Sequence, residues 1–316
     1  MSEPTARADN IFTVDVEDWF HILEVEGGLT RDQWPSLESR VVANCEALLE
    51  LLAAAGARAT FFVVGWVAQR HPALVRRIAA AGHEIASHSF WHEVIRNHDR
   101  ASLSADLAGS KRLLEDLGGR AVRGFRAPGG SITPQTAWAF DAIVEQGYGY
   151  DASLCPGYSS HGGFPSPYRG PHRVRCQAGE LAEIPSATVG LGRRRLPYAG
   201  GGYLRLLPYA VIRACIRADN RSGRPTNIYV HPREIDPGQP RMKLSPARRF
   251  KYYVGLRSTR GKLESLLREH RFVSAGDWLD AHGDSLASSV LDVRAAAAPG
   301  AASPPHRTPP PAPHLD

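Results

Sequence analysis

A chain of 316 residues with 43% hydrophobic content can bury one large α/β domain or two smaller ones, and its formal charge of +6 is spread along the sequence. Without a long Lys/Arg block, nucleic acid is not an expected partner; the densest run, Arg193-Arg194-Arg195, reads as a solvated loop. No apolar run approaches the roughly 20 residues that span a bilayer, Met1 to Asn10 carries no apolar leader segment, and Cys45, Cys155, Cys176 and Cys215 lack paired spacing, so a cytoplasmic protein with reduced thiols is expected.

In chain order, residues 1–10 are expected to be a flexible N-terminus, and Ile11 to Val16 reads as a buried strand running into the acids Asp15, Glu17 and Asp18. Val41, Val42, Cys45, Leu48, Leu49 and Leu52 repeat with helical period and Gly56 stops that helix. A strand over 59–64 ends at Gly65, a helix follows from Pro72 to a stop at Gly82, and Glu84 to Ser87 is a third strand that delivers His88. Ser102 is placed to cap a helix ending at Gly118-Gly119; a strand over 122–125 delivers Arg126, and Thr133-Pro134 opens a helix that Gly147 closes. Tyr148 to Tyr150 delivers Asp151. A loop rich in Gly and Pro follows, then a strand over 181–185, a flexible turn at Gly200-Gly201-Gly202, a helix over 208–218, and a strand over 227–230 that delivers His231. A basic helix over 258–270 and a short strand over 272–274 close the domain, assigned to residues 11–285; the Ala/Pro-rich stretch 286–316 reads as a disordered tail.

Strands that alternate with helices at short spacing imply parallel βαβ units, closed as a barrel or open as a doubly wound sheet. In a barrel, the C-terminal ends of the strands form the active rim. Asp15, His88, Arg126, Asp151 and His231 each fall at the end of a strand-like run, so chain order alone brings all five to one rim. His88 and His92, four apart, can share one face of a helical turn and hold one metal ion.

These residues carry a resemblance. Phe12 to His21 (Phe-Thr-Val-Asp-Val-Glu-Asp-Trp-Phe-His), Ser87 to His92, Gly124 to Pro128, Tyr150 to Ser153 and Tyr229 to Pro232 resemble, in order, the motifs of NodB-homology polysaccharide deacetylases, carbohydrate esterase family four. Gly200 to Pro208 and Phe250 to Tyr253 look like the members associated with exosortase-type exopolysaccharide systems, and the likeness covers roughly residues 10–280. The resemblance implies a distorted (β/α)7-type barrel and metal-dependent removal of acetyl groups from N-acetylated sugars of a saccharide or exopolysaccharide precursor; the lack of an apolar leader segment adds the expectation of a cytoplasmic, lipid-linked precursor. It makes His88 and His92 ligands of a divalent ion, zinc first among the candidates, and Asp15 the base that takes a proton from the activated water. His231 becomes the acid that protonates the leaving amine, Asp151 the carboxylate that orients His231, and Arg126 the partner of Asp15 on a loop that Pro128 stiffens.

The third metal ligand departs from the commonest family pattern of two adjacent aspartates. Here Asp15-Val16-Glu17-Asp18 leaves Glu17 and Asp18 both eligible, with Glu17 slightly favoured. The residue after His231-Pro232 is Arg233, where the subgroup usually has Trp. Trp91, Pro128 and Tyr203 are the candidates for contact with the sugar. Two other functions are kept open: a metal-independent, allantoinase-like cyclic-amide hydrolase, and an inactive saccharide-binding module. The intact histidine pair weighs against the first, and the presence of both Asp15 and His231 against the second.

Overall fold

In the computed structural model, which describes residues 8–23, 29–157, 162–192 and 194–296, seven parallel strands form the frame. The strands are β1 (Asp9–Val16), β2 (Thr60–Val63), β3 (Glu84–Ser87), β4 (Gly124–Phe125), β5 (Tyr150–Asp151), β6 (His172–Arg175), β7 (Glu180–Glu183), β8 (Thr188–Leu191), β9 (Arg194–Pro197), β10 (Asn227–Val230), β11 (Arg271–Val273) and β12 (Val290–Asp292). The helices are α1 (Val41–Ala54), α2 (Gly65–Arg70), α3 (Pro72–Ala80), α4 (Arg100–Gly118), α5 (Ala139–Glu145), α6 (Gly201–Leu206), α7 (Tyr209–Arg221), α8 (Pro246–Tyr253), α9 (Leu256–Glu269) and α10 (Ala275–His282).

Backbone pairing runs β10-β1-β2-β3-β4-β5-β7, parallel throughout. Between β10 and the end of β7 a side chain spans the remaining gap: Asn227 Nδ2 donates to the carbonyls of Ile184 and Pro185 at 3.4 Å, and its Oδ1 accepts from Thr13 Oγ1. The result is a mainly parallel sheet wrapped by helices, as in a distorted (β/α)7-type barrel. Apolar residues on both faces of β1, with Ile11, Val14 and Val16 all fully buried, suit a strand covered on both sides. Parallel strands all point their C-terminal ends the same way, which puts Asp15, His88, Arg126, Asp151 and His231 at one end of the frame.

Several elements differ from the sequence expectation. Helix α4 is capped by Asp99, whose carboxylate accepts from Ser102 N at 2.8 Å while Ser102 Oγ accepts from Asp99 N, and it ends at Gly119 with φ 69°. The triple glycine is no flexible turn: Gly201 begins α6, and a Cβ on Gly200 would lie 2.1 Å from the Tyr229 ring. Short β6, β8, β9 and β12 carry too little periodicity to announce themselves. β12 adds to the sheet beside β6 and Val293 N donates to Arg175 O, so ordered structure runs past residue 285 into the stretch read as tail; residues 297–316 lie outside the described residues, as do 1–7 and Arg193. At the other end, β1 already starts at Asp9, inside the expected flexible N-terminus. Among the described residues no helix is long and apolar enough to cross a membrane.

Candidate metal centre and active site

β3 stops at Ser87 and the next six residues are not helical. The expected helical turn for the histidine pair gives way to a loop in which Ser89 (φ 61°) and His92 (φ 53°) take left-handed backbone, at a cost of about 1–2 kcal/mol each. Contacts on all sides hold that strain. Asp106, on α4, accepts from Phe90 N at 2.7 Å and Trp91 N at 3.2 Å, and Ser89 Oγ accepts from His92 N at 2.9 Å. Gly65 and Trp66 donate their amides to the carbonyls of Ser89 and Phe90. The approach is so close that a Cβ on Gly65 would lie 2.6 Å from the Phe90 ring.

The loop turns both imidazoles toward Glu17. Donor atoms of Glu17, His88 and His92 all lie within 4.8 Å of one another, and all three residues are buried. His88 Nδ1 is engaged by the Arg126 carbonyl at 2.8 Å, which leaves Nε2 as the nitrogen available to a metal ion. His92 Nε2 sits 2.6 Å from Glu17 Oε2. Burial pushes His88 down to about 4, against the raising pull of Asp15, so the ring is neutral as a ligand must be. Burial alone would raise Glu17, but His92, His231 and Arg233 outweigh it and hold the carboxylate well below its usual range. Two imidazole nitrogens and one ionised carboxylate fit a three-donor site with open positions for a divalent ion.

Asp18 does not join them. Its carboxylate accepts from Trp19 N (2.9 Å), Ser39 Oγ (2.6 Å) and Arg40 N (3.0 Å), bracing the chain where it enters α1. Strand alternation decides between the two acids: Glu17, two residues after Asp15, leaves β1 on the same side, whereas Asp18 leaves on the other. His21 is buried among Phe20, Trp34 and Trp66 with its ring 5.7 Å from that of His92.

Asp15 and His231 face one another across the same space. Arg126 Nη1 donates to Asp15 Oδ1 at 2.6 Å and to Thr13 Oγ1 at 2.9 Å, and its Nε donates to Ala152 O. His231 Nε2 lies 3.9 Å from Asp15 Oδ2 and 3.6 Å from Glu17 Oε1. Its other nitrogen does not meet Asp151. His231 Nδ1 is 3.4 Å from Glu234 Oε2, and Glu234 also accepts from His231 N at 3.1 Å. Glu234 is fully buried and paired with Arg205 at 2.8 Å; burial would raise its carboxyl, but His231 and Arg205 bring it down to about 2. Burial likewise opposes charge on His231, yet Glu17, Glu234 and Asp15 raise its pKa above the ordinary value.

Asp151 braces a different group. It accepts from Ser153 N and, at 2.6 Å, from Ser153 Oγ, and Ser153 Oγ in turn accepts from Ala127 N. It thus steadies the strand end that carries Arg126. Its register partner on β7 is Glu183, also fully buried, and burial together with the neighbouring Asp151 pushes Glu183 well above the usual carboxylate range.

These groups open into a cavity of roughly 510 Å³. Of the three expected sugar contacts, Tyr203 lines it. Trp91 is turned aside by the left-handed loop and lies under Arg31, whose guanidinium carbon is 5.2 Å from the ring centroid; Pro128 is buried in the backbone turn, while its neighbours Ala127 and Gly129 reach the cavity. Sequence reasoning missed Glu234, Arg205, Leu206 and Tyr252. A signal for Glu234 was present: a proline at the first helical position and an acid three residues after His231, the spacing of a capping box.

With this geometry in hand, the comparisons fall into place. Residues 28–148 match the polysaccharide deacetylase family model and residues 152–280 a domain of unknown function (DUF3473). The peptidoglycan-N-acetylglucosamine deacetylase of Bacillus cereus is 35% identical over 101 residues, which is 32% of this chain and 46% of that protein. The chitooligosaccharide deacetylase of Azorhizobium caulinodans is 33% identical over 90 residues, 28% of this chain and 43% of its own. The chain therefore spans less than half the length of these relatives. Among solved structures, a Mycobacterium smegmatis protein assigned as a polysaccharide deacetylase superposes with a TM-score of 0.59 at 21% identity, covering 92% of this chain and 96% of that one. The PuuE allantoinase reaches 0.57 at 16%, covering 86% and 90%; both likenesses speak to fold. The deacetylase match covers the loop of His88 and His92 together with Arg126, while Asp15 and Glu17 precede it and His231 lies in the second matched region; residues 28–148 are thus similar to polysaccharide deacetylases.

Proposed function

We propose that the protein removes acetyl groups from N-acetylhexosamine units of a saccharide, with Glu17, His88 and His92 holding a divalent ion, zinc by the donor set. The observation that carries this reading is the convergence of three kinds of group on one cavity: a buried three-donor cluster, an arginine-paired carboxylate and a carboxylate-paired histidine. Amide hydrolysis requires all three functions. A divalent ion bound there would polarise the acetyl carbonyl and make water more acidic.

Asp15, kept in place by Arg126, accepts the proton of the attacking water at Oδ2, the oxygen that faces His231. A C–O bond forms at the acetyl carbon. His231, with Nδ1 against Glu234, presents Nε2 to the amide nitrogen and gives it a proton as the C–N bond breaks, so acetate and a free amine leave. His231 Nε2 and Asp15 Oδ2 lie 3.9 Å apart, so the group that takes a proton and the group that gives one are separate side chains on the same cavity. The apolar wall around Tyr203 suits a sugar face. An exopolysaccharide precursor, lipid-linked or free, and a cytoplasmic site of action are part of the same proposal; the sequence likeness of 200–208 and 250–253 to the exosortase-associated members supports the first. Incubation with N-acetylglucosamine oligomers tests the reading: acetate and new primary amine are expected in equal amounts, and turnover of a cyclic amide with no acetate from any oligomer would overturn it.

A further inference from the structure

Of the buried guanidinium groups around the cavity, two are held by hydrogen bonds and one is not. Arg126 is bound to Asp15, Arg205 to Glu234 and to the carbonyls of Lys251, Tyr252 and Val254, and Glu17 belongs to the three-donor cluster. Arg233 remains. Its side chain is only 7% exposed and lines the cavity, yet Nε and Nη1 have no hydrogen-bond partner among the described residues. The nearest carboxylate oxygen, Glu17 Oε1, is 3.9 Å from Nε, beyond hydrogen-bond reach. Nor is the guanidinium loose: its carbon stands 5.2 Å from the Tyr252 ring centroid, which fixes the plane. A desolvated cation with two unsatisfied donors is costly unless a ligand completes it.

We infer that Arg233 binds an oxyanion carried by the substrate, a carboxylate or a phosphate, beside the sugar whose acetyl group is removed. A planar guanidinium matches either group through two parallel N–H bonds, which a neutral hydroxyl cannot do with the same strength. The position next to Glu17 puts the anion on that sugar or its immediate neighbour, and the exposed side chains of Leu206 and Phe250 on the same cavity offer apolar surface to the rest of it. Arg233 is thereby a specificity-determining residue that selects an acidic saccharide over a neutral one. This rests on the deacetylase reading for its kinetic test, though not for its binding test.

The experiment compares three matched oligosaccharides: neutral N-acetylglucosamine, the same with an adjacent uronic acid, and the same with a phosphate monoester. One anionic substrate is expected to exceed the neutral one in kcat/KM by about ten- to hundredfold, mainly through KM, the size of one charged hydrogen-bonded contact. In Arg233→Gln that ratio falls to about one, and in Arg233→Lys it stays in between; the favoured arm tells carboxylate from phosphate. Disturbance of Glu17 by the mutation would affect all substrates alike and leave the ratio unchanged, which would overturn the inference, as would an active wild type with no preference. Calorimetric titration with glucuronic acid and with glucose 1-phosphate gives the readout independent of turnover: saturable binding to wild type and none to a folded Arg233→Gln. Equal binding to both refutes the subsite. Acetate release from no substrate at all would instead refute the deacetylase reading, and the titration would still decide the fate of Arg233.

Discussion

Two adjacent acids, Glu17 and Asp18, are equally eligible by chemistry and separated only by the side on which they leave β1, so replacing each by alanine divides metal binding from stability. Glu17→Ala removes one of three donors. Tightly held structural zinc is worth about 10–16 kcal/mol over four ligands, so one donor is worth roughly 3 kcal/mol and its loss weakens the ion by about a hundredfold or more. Asp18→Ala leaves the cluster complete but strips the partners from Trp19 N, Ser39 Oγ and Arg40 N. At a net ~1 kcal/mol per lost bond this costs about 3 kcal/mol, or a melting temperature lower by about 6–12 °C. Metal affinity by chelator competition and melting by calorimetry, on both variants, give the answer. The reasoning fails if Asp18→Ala loses the ion while Glu17→Ala retains it at wild-type affinity.

Glu234→Gln keeps an acceptor for Arg205 but places an amide opposite His231 Nδ1; kcat is expected to fall by about a hundredfold, the scale of a mis-set general acid, with KM nearly unchanged. A drop in thermal stability with kcat intact would make Glu234 a purely structural partner. Glu183→Gln probes the buried acid pair. Because its folded-state pKa is raised, wild-type Glu183 contributes most below its unfolded value near 4.5 and loses ground as pH rises through the interval up to the folded value. The glutamine variant, a stand-in for the protonated acid, should therefore gain stability over wild type by about 1.4 kcal/mol per pH unit above that point until the folded value is passed. Urea unfolding between pH 5 and 8 reads this directly, and a difference that stays flat across the range refutes it.

How much of this the sequence carried depended on the range of the interaction. The strands of the frame were legible because each packs on two faces and shows as an apolar run, and the residues at their ends were legible because a parallel sheet collects them on one rim. Asp15, His88 and His231 needed no more than that. His88 and His92 come together beside Glu17, but by a different geometry than their spacing suggests, since spacing cannot reveal that Asp106 and Gly65 hold the loop in left-handed backbone. Asp151 sat at the right rim, but whether a carboxylate there reaches His231 or Ser153 depends on side-chain direction across the sheet, and Glu234 was closer to the histidine in sequence and in space. Trp91 failed for the same reason as the helical turn. Arg233 stood out against the subgroup pattern, yet only the packed cavity discloses that its nitrogens lack partners.

The central claim is a reaction that depends on the ion held by Glu17, His88 and His92. Protein stripped by a chelator and assayed with an N-acetylglucosamine oligomer should release no acetate, and stepwise addition of zinc should restore release in proportion to occupancy, saturating at one ion per chain. Full acetate release from the stripped protein, with no response to added divalent metal, would contradict the account.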